Sequence, residues 1–298
     1  MAEITLLDGG MGQELIHRSG DAPTPLWATR VMMDHPGLVR QIHEDYFRAG
    51  ATVATANTYA IHHDRLQKFG LDHRFRDLHR QALSEAQAAR DAHGSGRIAG
   101  SLGPLVASYR PEVFPHHAEA VARYAEVARL LAPGVDLLIA ETVASLDHAR
   151  AVLEGARVAY RPVWLSVTVD DLDGSRLRSG EAAADLEPIL AANGVQAVLA
   201  NCSAPEAMAA ALRVFAGFGL PFGAYANGFR QITRDFLKDD PTVDALAARP
   251  EMTPALYADF AAIWAGMGAT IIGGCCETTP AHIAAVAQRL RDEGYRLS

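Results

Sequence analysis

The chain has 298 residues, 49% of them hydrophobic and 21% charged, with a formal net charge of −8. That length suits one large buried core, and the acidic balance excludes a surface built to neutralise nucleic-acid phosphates. No run approaches the roughly 20 apolar residues of a membrane-spanning helix. The opening Met1-Ala2-Glu3-Ile4-Thr5 also lacks the charged and apolar regions of an export signal. A soluble, cytoplasmic chain is therefore expected, with neither nucleic acid nor membrane among its partners.

Eight short apolar segments follow one another along the chain: 4–10, 52–59, 97–104, 136–142, 163–169, 197–203, 221–227 and 269–276. Their near-continuous Val, Ile, Leu and Ala content suits parallel strands buried on both faces. Segments of helical periodicity separate them. Asp34 is placed to cap a helix that carries Leu38, Val39, Ile42 and Tyr46 on one face and stops at Gly50. Ser203-Ala204-Pro205-Glu206 has capping-box spacing, and Thr253-Pro254 and Thr279-Pro280 each set a cap residue before a proline. Alternation repeated eight times predicts a single (β/α)8 TIM barrel over residues 1–298; a doubly wound open sheet also alternates but does not require eight strands. Residues 228–252 are predicted to form a long polar loop after the seventh strand.

Polar residues gather at the predicted C-terminal strand ends, where barrel active sites form: Asp8, Asn57, Glu141, Asn201, Cys202, Asn227, Cys275 and Cys276. The three cysteines are too few for a disulfide framework. Cys202 ends the sixth strand and Cys275-Cys276 the eighth, with Gly273-Gly274 allowing the backbone to bend so that both sulfurs face the mouth. Three soft thiolates favour Zn2+ over hard cations and leave its fourth position open, as in a catalytic site. The formal charge of such a centre opposes activation of water and suits alkyl transfer to sulfur. Paired histidines (His62-His63 and His116-His117) and His282 are expected to be solvated or helix-end residues, not metal ligands.

These residues resemble the homocysteine S-methyltransferase family. The resemblance is carried in family order by Leu7-Asp8-Gly9-Gly10-Met11-Gly12, Asn57-Thr58-Tyr59, Glu141-Thr142, Ser179-Gly180-Glu181, Asn201-Cys202, Tyr225-Ala226-Asn227 and Gly273-Gly274-Cys275-Cys276. It spans almost the whole chain, and the Asn-Cys and Gly-Gly-Cys-Cys elements are its most specific part. One departure is Glu277, which stands where the family usually has Gly.

The resemblance implies a zinc-dependent S-methyltransferase that makes methionine from homocysteine, with Cys202, Cys275 and Cys276 as metal ligands. It implies that the homocysteine ammonium meets Asp8 and Glu141, and its carboxylate the N–H groups of Gly9, Gly10 and Met11, with Asn201 beside them. No cobalamin or folate domain is visible in the chain, so the expected methyl donor is a small onium compound. S-methylmethionine comes first, ahead of S-adenosylmethionine and betaine. Tyr59, Tyr225, Tyr109 and Phe114 are candidates for an aromatic face toward that cation, with Asn227 and Glu277 on the donor side. Glu277 would either attract the cation or cap the last helix. Ser179-Gly180-Glu181 is expected to shape the loop after the fifth strand and the next helix start. A non-catalytic zinc or thiol sensor, or a subunit dependent on a separate corrinoid protein, are the alternatives. Monomer and homo-oligomer are both left open.

Overall fold

The protein is described by a computed structural model covering residues 2–229, 237 and 248–298. Every predicted apolar segment contains a strand: β1 (Glu3–Leu6), β2 (Val53–Ala56), β3 (Arg97–Leu102), β4 (Leu137–Val143), β5 (Val163–Val167), β6 (Ala197–Asn201), β7 (Phe222–Ala226) and β8 (Ile271–Gly274). From β2 to β8 each strand pairs in parallel with the next, and β8 pairs with β1 through Thr5↔Ile271 and Leu6↔Ile272. The ring closes between β1 and β2 through the Leu7↔Val53 bridge. Backbone bonds from Thr52 N to Leu6 O (2.7 Å) and from Asp8 N to Val53 O (3.1 Å) flank that bridge. A short strand that sequence reading missed, β9 (Arg296–Leu297), pairs with the lower half of β1.

The helices are α1 (Met11–Ser19), α2 (Trp27–Asp34), α3 (Leu38–Ala49), α4 (His63–Gln67), α5 (Phe75–His93), α6 (His117–Leu131), α7 (Leu146–Ala156), α8 (Glu187–Asn193), α9 (Pro205–Phe215), α10 (Pro254–Gly266) and α11 (Pro280–Asp292). None among the described residues is long and apolar enough to cross a membrane. Most of the predicted loop 228–252 lies outside the described residues; Phe229 and Ala248 within it form an antiparallel bridge.

Several local expectations hold, and two fail for clear reasons. Gly50 ends α3 with a left-handed backbone, Thr253 caps α10 through the N–H of Leu256, and the N–H of Thr279 donates to His282 Nδ1 at the start of α11. Asp34, by contrast, is the last residue of α2, and left-handed Gly37 precedes α3. Ser203 lies one position too early to cap α9, and its hydroxyl instead holds the N–H of Val169 at 2.9 Å.

Period-2 alternation sets the interior. Leu7, Val53, Ala99, Leu137, Ile139, Trp164, Ala197, Leu199, Tyr225 and Ile271 form a cluster of their own within the ring, while Leu6, Ala54, Ile98, Leu138, Leu165, Val198 and Ile272 pack with the surrounding helices. One pleat further along, the inward positions change character: Val53 leads to Thr55, Ala99 to Ser101, Ile139 to Glu141, Trp164 to Ser166 and Leu199 to Asn201. The floor of the barrel is apolar and its C-terminal rim is polar.

Candidate active site at the barrel mouth

A cavity of about 220 Å3 opens at that rim. Its lining includes Asp8, Gly9, Gly10, Tyr59, Tyr109, Glu141, Asn201, Tyr225 and all three cysteines, so residues from seven of the eight barrel strand ends meet there. The sequence-predicted constellation is brought together almost whole.

The sulfurs of Cys202, Cys275 and Cys276 all lie within 4.8 Å of one another. Cys202 and Cys275 are held as a disulfide, with Cα atoms 5.8 Å apart, and Cys276 is the free thiol. The Cys202 and Cys276 sulfurs are 3.8 Å apart. A tetrahedral zinc with Zn–S bonds of about 2.3 Å sets its sulfurs about 3.8 Å apart, so this edge already has the span of a zinc–thiolate site. Reduction of the Cys202–Cys275 pair supplies the other two thiolates. The donor set therefore fits zinc in the reduced protein. Burial in the absence of a metal pushes the Cys276 thiol up to about 12, so a cation is what makes a thiolate there affordable.

Two buried carboxylates face the same cavity. Asp8 is 3% exposed and accepts the N–H of Thr55 at 2.8 Å. Burial raises its pKa to about 8, with Glu141 adding to the effect. Glu141 accepts Ser101 Oγ at 2.7 Å on one oxygen and Tyr225 OH at 3.0 Å on the other, and burial raises its pKa as well. His43 Nδ1 is 3.8 Å from Asp8 Oδ2, too long for a hydrogen bond, and burial lowers its pKa to about 3. It is a neutral neighbour of Asp8, not a counter-ion. Two carboxyls whose ionised form is disfavoured by burial, beside an open cavity, are suited to an incoming ammonium, which would favour that form.

The glycines at the end of β1 have a steric reason. A Cβ on Gly9 would come within 2.8 Å of Thr278 O, and one on Gly10 within 2.6 Å of Cys275 O. The Gly9-Gly10 backbone thus packs directly on the turn that carries the cysteine pair. Gly10 N–H donates to Thr278 O at 2.9 Å, which removes it from the expected anion nest. Asn201, also in the lining, is engaged as well: both ends of its amide bond Thr142, so it positions the strand ends.

The donor-side candidates divide. Tyr59 and Tyr109 line the cavity, with Arg65 over the Tyr59 ring at 5.8 Å and Arg178 over the Tyr109 ring at 5.7 Å. Tyr225 lines it too, but its hydroxyl belongs to Glu141. Phe114 is outside the lining and stacks on His148 at 4.6 Å. Asn227 is also outside it, its Oδ1 accepting the N–H of Phe229 at 3.2 Å. Glu277 does not line the cavity and does not cap α11, whose cap is Thr279. It occupies a left-handed backbone position, φ 62°, in the turn closed by Thr278 N to Cys275 O, and is half-buried near His17 and Glu14. That backbone explains why glycine suits this position. Ser179-Gly180-Glu181 does shape the loop after β5, where Leu177 N–H donates to Glu181 O at 2.9 Å, but the Glu181 carboxylate accepts the N–H of Leu146 and braces the start of α7, not the helix after β5.

Among the described residues no histidine joins the three-cysteine cluster. His62 and His116 are the N-cap residues of α4 and α6, although His62 is buried and not solvated, with its Nε2 3.1 Å from Gly103 O. Sequence reading missed Gln13, Trp27, Arg65 and Ser101, all in the lining. Only Ser101 left a trace, as the inward position two residues after Ala99.

The fold and site together define a (β/α)8 barrel with a cluster of three cysteines and a buried acidic pair at its C-terminal mouth. The sequence profile of the homocysteine S-methyltransferase family matches residues 5–290. The chain belongs to that family. It is 32% identical to homocysteine S-methyltransferase of Escherichia coli K12, over 96% of this chain and 95% of that one. It is 26% identical to homocysteine S-methyltransferase 1 of Arabidopsis thaliana, over 96% and 93%. The crystal structure of the E. coli homocysteine methyltransferase MmuM in its metallated form superposes with a TM-score of 0.80 at 30% identity, covering 96% of each chain. The oxidised form of the same enzyme gives 0.79 at 31%.

Proposed function

We propose that this chain is a zinc-dependent S-methyltransferase that moves a methyl group from a small onium donor, S-methylmethionine foremost, to homocysteine, giving methionine. The observation that carries the reading is the convergence of three cysteine sulfurs and two buried carboxylates on one cavity. Residues 1–298 serve it as one barrel, and a reducing cytoplasm keeps the cysteines available.

Cys202, Cys275 and Cys276 would hold the metal. Zinc bound there supplies the positive charge that keeps the acceptor's thiol deprotonated at neutral pH. Asp8 and Glu141 bind the acceptor's ammonium, and Ser101 and Tyr225 fix the Glu141 carboxylate so that it cannot rotate away. Trp27, Tyr59 and Tyr109 offer aromatic faces to a cationic donor while keeping water from the reacting pair. The acceptor sulfur forms a new S–C bond as the donor's C–S bond breaks, and the electron pair leaves with a neutral thioether. The thiol proton is released to solvent before transfer, so the protein supplies alignment and no general base is required at the transfer step.

Purified, reduced, zinc-loaded protein supplied with homocysteine and, in turn, S-methylmethionine, S-adenosylmethionine and betaine should form methionine, fastest with the first. Methionine formation with none of the three would refute the small-onium reading.

A further inference from the structure

Gln13 lies in the first turn of α1, is 4% exposed and lines the cavity, yet neither Oε1 nor Nε2 has a hydrogen-bond partner. A buried amide with both ends unpaired is costly, so a native protein rarely carries one without a use. Gln13 is the third residue of α1, and Gly10, the N-cap of that helix, is the residue that packs on the cysteine turn. A Cβ on Gly10 would come within 2.6 Å of Cys275 O and 3.3 Å of both Cys276 Cα and Glu277 N. Gln13 and Cys276 line the same cavity, and the Gln13 side chain acts to favour the Cys276 thiolate against burial.

We infer that Gln13 is a positioning residue of the metal centre, its Nε2 donating an N–H···S hydrogen bond to the Cys276 thiolate once zinc is bound. The inference rests on the zinc–thiolate reading above. Three thiolates on Zn2+ leave a net negative centre in a buried place. A neutral amide donor withdraws charge from one sulfur without adding a cation that would repel an onium donor. It also fixes the direction of the Cys276 side chain, as outer partners do for metal ligands. The first turn of α1 thus joins the acceptor's glycine turn to the metal centre through one side chain.

The test uses full-length reduced protein, loaded with zinc or with Co2+ as a spectroscopic probe, in the wild type, Gln13→Leu and Gln13→Glu. Leu keeps the volume and removes the donor; Glu keeps the shape and adds a negative charge. Zinc affinity by chelator competition should fall by roughly 10-fold or more in Gln13→Leu and further in Gln13→Glu. The sulfur-to-cobalt charge-transfer band of Gln13→Leu should move to longer wavelength, because a sulfur that loses its hydrogen bond gives up charge more readily. Wild-type zinc affinity and an unmoved cobalt band in both variants would overturn the inference alone. Wild-type protein that shows no thiolate band at all would overturn the zinc reading and this inference with it.

Discussion

Asn201 and Thr142 clasp each other through two hydrogen bonds of 3.0 Å, Thr142 N–H to Asn201 Oδ1 and Asn201 Nδ2 to Thr142 Oγ1. Their chain neighbours are Glu141 on one side and Cys202 on the other. Both Thr142 (φ 55°) and Cys202 (φ 48°) hold left-handed backbones, a conformation that side chains other than glycine adopt only where the surroundings enforce it. The clasp is what holds the carboxylate and thiolate halves of the site in register.

Asn201→Ala should therefore remove more than an amide. It leaves the buried Thr142 N–H without a partner, at about 1–3 kcal/mol of stability. It should also lower kcat/KM, as Glu141 and Cys202 lose their common support. Urea unfolding and methionine formation measure the two effects. A variant as stable and as active as the parent would show that the strand ends hold their backbones unaided.

Metal content should depend on redox state. Reduced protein is expected to bind about one zinc per chain, and protein with the Cys202–Cys275 disulfide closed should bind none. Cys202→Ser, Cys275→Ser and Cys276→Ser should each lower occupancy and abolish transfer, and a chelator should do the same to the parent. Full zinc occupancy in Cys276→Ser would remove that residue from the ligand set.

Acid stability follows from the buried histidines. Burial lowers the pKa of His43, His62 and His148 to about 3 and of His79 to about 4, against about 6.5 when unfolded. A depressed histidine pKa means that its contribution is present above pH ~6.5 and is lost as pH falls toward the folded value, by about 1.4 kcal/mol per pH unit for each group. Asp8 runs the other way: its folded pKa of about 8 stabilises the fold as pH drops from 8 toward its unfolded value. Glu141, also raised, acts in the same direction. Four histidines outweigh two carboxyls, so the metal-free protein should lose stability as pH falls from 6 to 5. Flat stability from pH 7.5 to 5 would mean that these histidines are already charged in the fold.

Glu277→Gly should stabilise the protein by about 1 kcal/mol, because it relieves a left-handed backbone at a residue with a Cβ. Since Glu277 neither lines the cavity nor caps α11, KM for a sulfonium donor should stay as it is. A marked rise in that KM would return the carboxylate to the donor's side.

The eight strands were legible because parallel strands buried on both faces write continuous apolar runs, and the cysteines because soft ligands at strand ends have few other uses. β9 was not legible: two residues, Arg296 and Leu297, carry no period, and their partner is at the other end of the chain. Trp27 and Gln13 were missed because α1 and α2 owe their placement to tertiary fit. A Cβ on Gly12 would lie 2.0 Å from the Trp27 ring, a contact that no local pattern announces. Asn227 and Phe114 were misplaced for the converse reason, since the ends of β7 and the β3–α6 loop turn their side chains toward their own backbone and toward His148.

Of the chain's three tryptophans, Trp164 (7% exposed) and Trp264 (0%) are packed away from the mouth, and Trp27 alone lines the cavity. The indole is therefore a built-in optical probe. Its emission reports whatever enters beside Tyr59 and Gly12, against a constant background from the other two. A fluorescence titration can thus follow occupancy by either substrate without turnover, label or metal exchange.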